Sequence, residues 1–528
     1  MGYEEKTLSN IVVNSGKEVV LKIEIVEAVM GLEEVVIIAD DLPKNEALNE
    51  MSIVSTRTFS VEETTRFAGT LNDPARMAAN YAGVNASPVG NNDIIVRGNS
   101  PKGMLWRLEG IEIPNPNHFA GEGATGGPIN ALNSSVLANS DFLTGAFSPE
   151  YGNALSGIFD MKLRQGNNEN REYDFSAGVI GMDMTMEGPF VKGKKASYLI
   201  NGRYSSLEIL DNAGIVDFGG VPKYKDLSFK FHFPTKNAGA FSLFGLVGKS
   251  NILLDSTTLR EIDQADIGFL SESKAHLGVV GLNHIYFINS NTYTESFLSM
   301  ASNGMDGTFQ ISNGNLVEYG SYDIQNKRAL RTGAALHKKV NVKNKTQAGL
   351  IYSHQAFTFD QQYKINDTLF TAIDEKNSAG LAEAYFSWKH RVNDKLTLVN
   401  GLHSTFFTLN NTYAIEPRAA LQWQMKPGRT INVGAGIHSK PQVLPGYFVN
   451  IENASGTIES PNRDLELTKA LHFVTGYSMM LGTDTHFKLD LYYQHLYDVP
   501  IAADPNSTES MLNSIDSYDE VAFVSEGT

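Results

Sequence analysis

The sequence predicts a mainly β fold, an antiparallel transmembrane barrel preceded by a mixed α/β block, and three observations point to it. From about residue 171 to 500 the chain repeats segments of roughly ten residues in which apolar and polar side chains alternate, the period of a strand with two unlike faces. The connections between these segments are by turns very short and long, as in a barrel with tight turns at one end and loops at the other. No run reaches the roughly 18 consecutive apolar residues that a membrane helix needs, so strands would have to do any spanning.

At the start of the chain, residues 1–32 hold two strand-like runs, Ser9–Val13 and Val19–Val26, too little for a domain. Next comes Leu32–Ala39 (LEEVVIIA), followed by a polar stretch with Pro43. It reads either as one more strand of a small sandwich or as an extended strip to which a partner can add a strand.

The block from about Met51 to Gln165 has a different pattern. Asp73–Tyr81 reads as a helix, with Asp73 as cap and Pro74 in the first turn. Strand-like Asp93–Gly98 and Met104–Ile113 follow, then the glycine-containing stretch Ser148–Lys162. Glycine suits a globule that must turn tightly inside a barrel. Between them, Pro114–Gly127 gathers Asn115, Asn117, His118 and Phe119, donors and an aromatic that suit an orienting site and equally suit a solvated turn. Gly121, Gly123 and Gly126 fit GxGxxG, but Pro128 stands where a Rossmann helix should begin.

In the barrel region, Leu227, Phe229, Phe231 and Phe233 alternate with Ser228, Lys230 and His232. Met182, Met184 and Met186 do so with Asp183, Thr185 and Glu187, and Phe487, Leu489, Leu491 and Tyr493 with Lys488, Asp490, Tyr492 and Gln494. This register points Phe231 at lipid and Lys230 at the lumen. Tight turns are expected at 191–194, 235–238, 289–292, 342–344, 393–395, 426–429 and 482–485. Long loops are expected at 208–224, 251–273, 304–326, 359–378, 410–416, 440–468 and 501–519. About fifteen or sixteen segments can be counted, ending in Val521–Ser525, whereas a plugged lumen belongs to barrels of about 22 strands. The expectation is therefore a C-terminally incomplete barrel of that type.

Composition narrows the function classes. A net charge of −16 argues against a nucleic-acid partner, and the absence of cysteine excludes disulfides, thiolate metal sites and cysteine nucleophiles. The twelve histidines are scattered singly, and no HExxH, P-loop or GxSxG pattern occurs, so no metal, cofactor or catalytic residue is expected. The start, MGYEEK, lacks the pattern of a secretory signal, which for an exported barrel implies a processed start or a fragment.

The middle block resembles the plug domain of TonB-dependent outer-membrane receptors and transporters. The resemblance rests on Ile95-Val96-Arg97-Gly98, on Leu108-Glu109-Gly110, and on Tyr151-Gly152, Ala154, Ser156-Gly157 and Ile158; Glu109 stands for the more usual aspartate and Ser156 for a glycine. Glu416–Arg418 and Leu465–Tyr477 also look like strand starts of this family's barrels.

The resemblance, closest to receptors of the Bacteroidetes type, implies four parts. Residues 1–32 would end a carboxypeptidase-regulatory-like sandwich, 33–50 would hold the TonB box and linker, 51–168 the plug and 169–528 a partial barrel. It implies that Glu34, Val35, Val36, Ile37, Ile38 and Ala39 form the TonB box. Arg97, Gly98, Glu109, Gly110, Tyr151, Gly152 and Gly157 would be structural or latch residues of the plug, with Arg97 anchored to Glu109 or to a barrel carboxylate. The 114–127 segment would face an extracellular ligand. The implied function is import of a siderophore, metal complex, vitamin, glycan or peptide across the bacterial outer membrane. It would be driven by TonB with ExbB and ExbD from the inner-membrane proton gradient, with outer-membrane lipid around the barrel. A passive porin or adhesion barrel is the first alternative, and a soluble all-β glycan enzyme or lectin the second.

Overall fold

In the computed structural model, residues 47–528 are described apart from 61–62, 65–69, 71–72, 87–92, 179–180, 206, 208, 210–219, 256–266, 314–315, 366–367, 453–454, 483–484 and 514–520. The sandwich remnant at 1–32 and the TonB box at Glu34–Ala39 lie outside the described residues.

Fifteen strands form one antiparallel sheet, from Glu172–Ala177 to Thr485–Tyr497, each hydrogen-bonded to the next along the chain. The alternation in the sequence sets the faces. On the strand Lys223–Pro234, Asp226, Ser228 and Lys230 are buried, while Leu227 and Phe233 are exposed. The exposed apolar side chains include Met184, Val280, Leu298, Leu350, Phe406 and Leu491, the outer face expected of a wall in contact with lipid. No helix among the described residues is long and apolar enough to cross a membrane.

The expected tight turns from 191–194 to 426–429 are found, but several expected long loops are strand. Thr292–Asn313 runs almost directly into Leu316–Asn341, and Asn344–Ile365 into Thr368–Asn393, so most of 304–326 and 359–378 is hairpin. These strands are 22 to 26 residues long, against the roughly 9 to 11 that cross a bilayer. Their outer halves therefore project beyond it with water on both sides. Backbone pairing persists there while the apolar alternation does not, which is why the sequence reads as loop.

The segment 441–467 is a true loop, carrying two short 3-10 turns, Leu444–Phe448 and Pro461–Asp464. The expected last barrel strand at Val521–Ser525 is a correction: Phe523–Gly527 pairs instead with Val499–Ala502 in a separate two-stranded sheet. Asp498, at φ 54°, breaks the preceding strand and turns the chain away from the wall.

Inside the wall sits the mixed block. Its sheet has the order Thr56–Phe59, Ser140–Leu143, Gly157–Met161, Met104–Leu108, Ile111–Glu112, with the third and fourth strands parallel. Trp106 stacks on Phe159 at 4.4 Å and Phe142 lies 4.5 Å from the same ring. The helix is shorter than expected, Pro74–Ala78, but it is capped as expected by Asp73, which accepts from the Ala75 amide. The apolar core of the block continues into Leu199, Phe244, Leu246 and Val279 of the wall. The lumen is thus filled by a plug.

Candidate functional site: the plug and its grip on the wall

The two motif turns of the plug have a common geometry. Arg97 and Gly98 have φ of 53° and 79°, and Glu109 and Gly110 have 55° and 80°. In each case Gly takes the second left-handed position of a tight hairpin-type turn, which costs a side chain more than it costs Gly. The turns hold both charged side chains out to the wall. Glu109 receives the Lys230 ammonium at 2.8 Å and the Leu163 amide at 2.6 Å. Arg97 pairs with the barrel carboxylate of Asp490 at 3.8 Å, donates to Ser55 Oγ at 3.0 Å and lies over the Tyr492 ring. Of the two anchors open from sequence, Arg97 therefore has the barrel carboxylate.

Charge complementarity continues around the plug. Glu112 pairs with Arg331 at 2.9 Å, Glu122 with Lys327, and Glu50 with Lys345 at 2.6 Å. Burial by itself would raise the Glu112 carboxyl, but Arg331, a hydrogen bond from Asn153 and the charges of Lys440 and Lys327 hold it below its ordinary range. At Glu50 burial is likewise outweighed, by Lys389 and Lys345. Three plug carboxylates, and Glu50 just before the plug, thus meet wall cations. Removing one partner of such a pair costs more than the intact pair contributes, because a bare charge stays buried.

Tyr151 and Gly152 sit where the plug presses hardest on the wall. Tyr151 donates its hydroxyl to Asp160 at 2.8 Å, and its ring lies under Arg107. Arg418 of the wall donates from Nη1 to the carbonyl oxygens of Ser148 and Tyr151 at 2.8 and 2.6 Å. Its other nitrogen meets Glu416, which also accepts from Ser439. A Cβ at Gly152 would overlap the Glu383 carboxylate and the His403 ring, so only Gly lets the backbone approach this closely. Gly157 is tight for a different reason, lying against Met104 and Val96 inside the plug.

The four residues at 115–119 have structural partners. Asn115 donates to the carbonyls of Ala124 and Gly126, bracing its own loop. Asn117 is buried, and its amide group donates to Asn115 Oδ1. His118 is 1% exposed and meets Asp226 at 3.0 Å, the carboxylate that also takes Arg203. The Phe119 amide donates to Ser250 Oγ at 3.2 Å. Neither Asn117 nor His118 is presented at an open apex, since a wall carboxylate 108 residues away draws the imidazole sideways.

Sequence reading missed the wall side of these contacts. Lys230, Lys327, Arg331, Lys345 and Arg418 are separated from their partners by long stretches of chain, and no local motif joins them. Lys230 alone carries a clear signal, a charge at an inward position between the aromatic Phe229 and Phe231, whereas Lys327 and Lys345 stand among polar neighbours.

No protein-family model matches the chain, and no curated protein does. Solved structures do match. The siderophore receptor PirA from Acinetobacter baumannii is 14% identical, with 87% of this chain and 74% of that one covered and a TM-score of 0.62. The outer membrane transporter YddB from Escherichia coli is 10% identical, with 89% and 72% covered and a TM-score of 0.62. The ferric enterobactin receptor PfeA from Pseudomonas aeruginosa is 12% identical, with 87% and 74% covered and a TM-score of 0.60. The chain has the plug-and-barrel fold of these outer-membrane receptors and transporters, the fold that its plug motifs resemble.

Proposed function

We propose that the chain is a TonB-dependent outer-membrane importer. Ligand binds from the side of the long hairpins, and TonB, energised through ExbB and ExbD by the proton gradient, pulls on Glu34–Ala39 and rearranges the plug. The observation that carries this reading is the nature of the plug's grip: a lumen filled by a folded block that shares an apolar seam with one side of the wall and is elsewhere tied to it by discrete ion pairs and hydrogen bonds. Such polar contacts fix position while adding little net stability, because water replaces them once it enters. A plug fixed this way can be moved and restored. A passive pore has no use for a plug that can be moved and restored.

Under this reading Arg97 with Asp490 is one latch, and the four parts expected from the sequence apply, with the TonB box preceding the plug. The pull would arrive at Leu48 and Asn49, whose amides donate to the Asp141 carboxylate at 3.1 and 3.0 Å. The matched structures suggest a siderophore among the candidate cargoes; vitamins, glycans and peptides remain in the class. The test is uptake of labelled ferric siderophore, cobalamin and oligosaccharide by cells that express the chain, with and without a protonophore. Accumulation that stops when the gradient collapses supports the importer, and accumulation that continues favours a porin.

A further inference from the structure

Between the plug and the wall lies a cavity of about 140 Å³, roofed by Pro441–Leu444 at the start of the long loop. Its lining is out of character for so acidic a chain. Lys102, Lys327, Arg331 and Lys440 face it against only two carboxylates, Glu112 and Glu122.

Three of its buried donors, moreover, have no acceptor. Arg331 is 3% exposed; its Nη2 is taken by Glu112, but Nε and Nη1 have no partner, and neither has Trp106 Nε1. One acceptor, Asn153 Oδ1, is likewise unpartnered, while its Nδ2 is held by Glu112. A buried N–H without an acceptor carries its full desolvation cost, and a guanidinium N–H donated to an oxyanion makes a charge-assisted hydrogen bond.

We propose that this cavity is a subsite for one oxyanion group, a carboxylate or phosphate, carried by the ligand. The size fits that role. Pockets that take a whole small ligand run from about 300 Å³ upward, so this space takes a small group and not a whole ligand. The anion accepts from the unpartnered Nε or Nη1 of Arg331, with Lys327 and Lys440 supplying charge and Trp106 Nε1 a further donor. Glu112 competes with it for the guanidinium.

The inference rests on the importer reading for the word ligand, but its test needs neither TonB nor a gradient. The chain has three tryptophans, and Trp388 and Trp423 lie on the outer wall. A Trp388→Phe, Trp423→Phe protein therefore reports from Trp106 alone. In detergent, at ionic strength fixed with chloride, it is titrated with citrate, inorganic phosphate and sucrose.

A saturable change in Trp106 emission is expected with an anion and not with sucrose. Response to citrate alone assigns a carboxylate, and response to phosphate alone assigns a phosphate. Arg331→Gln should weaken binding at least ten-fold, whereas Glu112→Gln, which frees the guanidinium and removes no cation, should tighten it. A flat titration with both anions, or equal weakening by the two variants, overturns the subsite while leaving import untouched. Failure of gradient-dependent uptake with anion binding intact would instead remove the importer reading and keep the site.

Discussion

Arg418 on the barrel wall donates to the main-chain carbonyl of Tyr151 in the plug at 2.6 Å, across 267 residues of chain. The same guanidinium satisfies the buried Glu416 carboxylate, so one side chain ties the wall to the plug backbone and neutralises a charge in its own strand. Arg418→Ala should therefore loosen the plug by more than two lost hydrogen bonds, on the order of 3 to 5 kcal/mol, because the buried Glu416 charge is left without its cation. Urea-induced exposure of the plug to protease is the measurement. The Arg418→Ala, Glu416→Ala double variant should recover part of the loss.

Gly152 is the steric counterpart. Gly152→Val would drive a side chain into Glu383 and His403, and overpacking of this kind costs about 1 to 3 kcal/mol. Limited proteolysis should cut the plug of this variant while the barrel stays intact.

The register of the wall is tested at two neighbours. Phe231→Lys places a charge on the lipid face, at about 2 to 4 kcal/mol near the midplane, and should reduce the heat-resistant assembled form. Lys230→Ala should leave assembly alone, since Lys230 faces the lumen. It is not silent, however: the ammonium holds Glu109 and the Leu163 carbonyl, so its loss should raise protease sensitivity of the plug. Equal assembly defects would refute the register.

Acid should loosen the grip at Glu112. Its folded carboxyl lies below the ordinary value of 4.5, so the stability it contributes is complete above that value and is lost as pH falls through the lower one. The urea midpoint for plug release should fall in that window, and Glu112→Gln should remove that part of the pH dependence.

What the sequence made legible follows from where its signals are local. Leu227–Phe233 shows both faces within seven residues because lipid and plug sit on opposite sides of it. The Arg97-Gly98 and Glu109-Gly110 turns are legible because backbone strain calls for Gly at a fixed place. By contrast 304–326 and 359–378 read as loops, since strands wetted on both faces lose their alternation. His118 reads equally as a ligand-orienting or a solvated-turn residue because the carboxylate that buries it, Asp226, belongs to a distant strand. Arg97 shows both cases together: its turn is local and its partner, Asp490, is not.

The Arg97 latch has its own outcome. Arg97→Ala should make the plug more readily displaced while the barrel assembles normally; a variant whose plug keeps its protease resistance and whose uptake is unchanged would remove this residue from the mechanism.

The central claim is that TonB engages the strip before the plug. The most direct measurement is binding of the purified TonB periplasmic domain to the purified chain, compared with a Val36→Pro variant that cannot pair there as a strand. The account predicts binding to the first and at least a ten-fold loss with the second. Equal binding to both, or none to either, would contradict it.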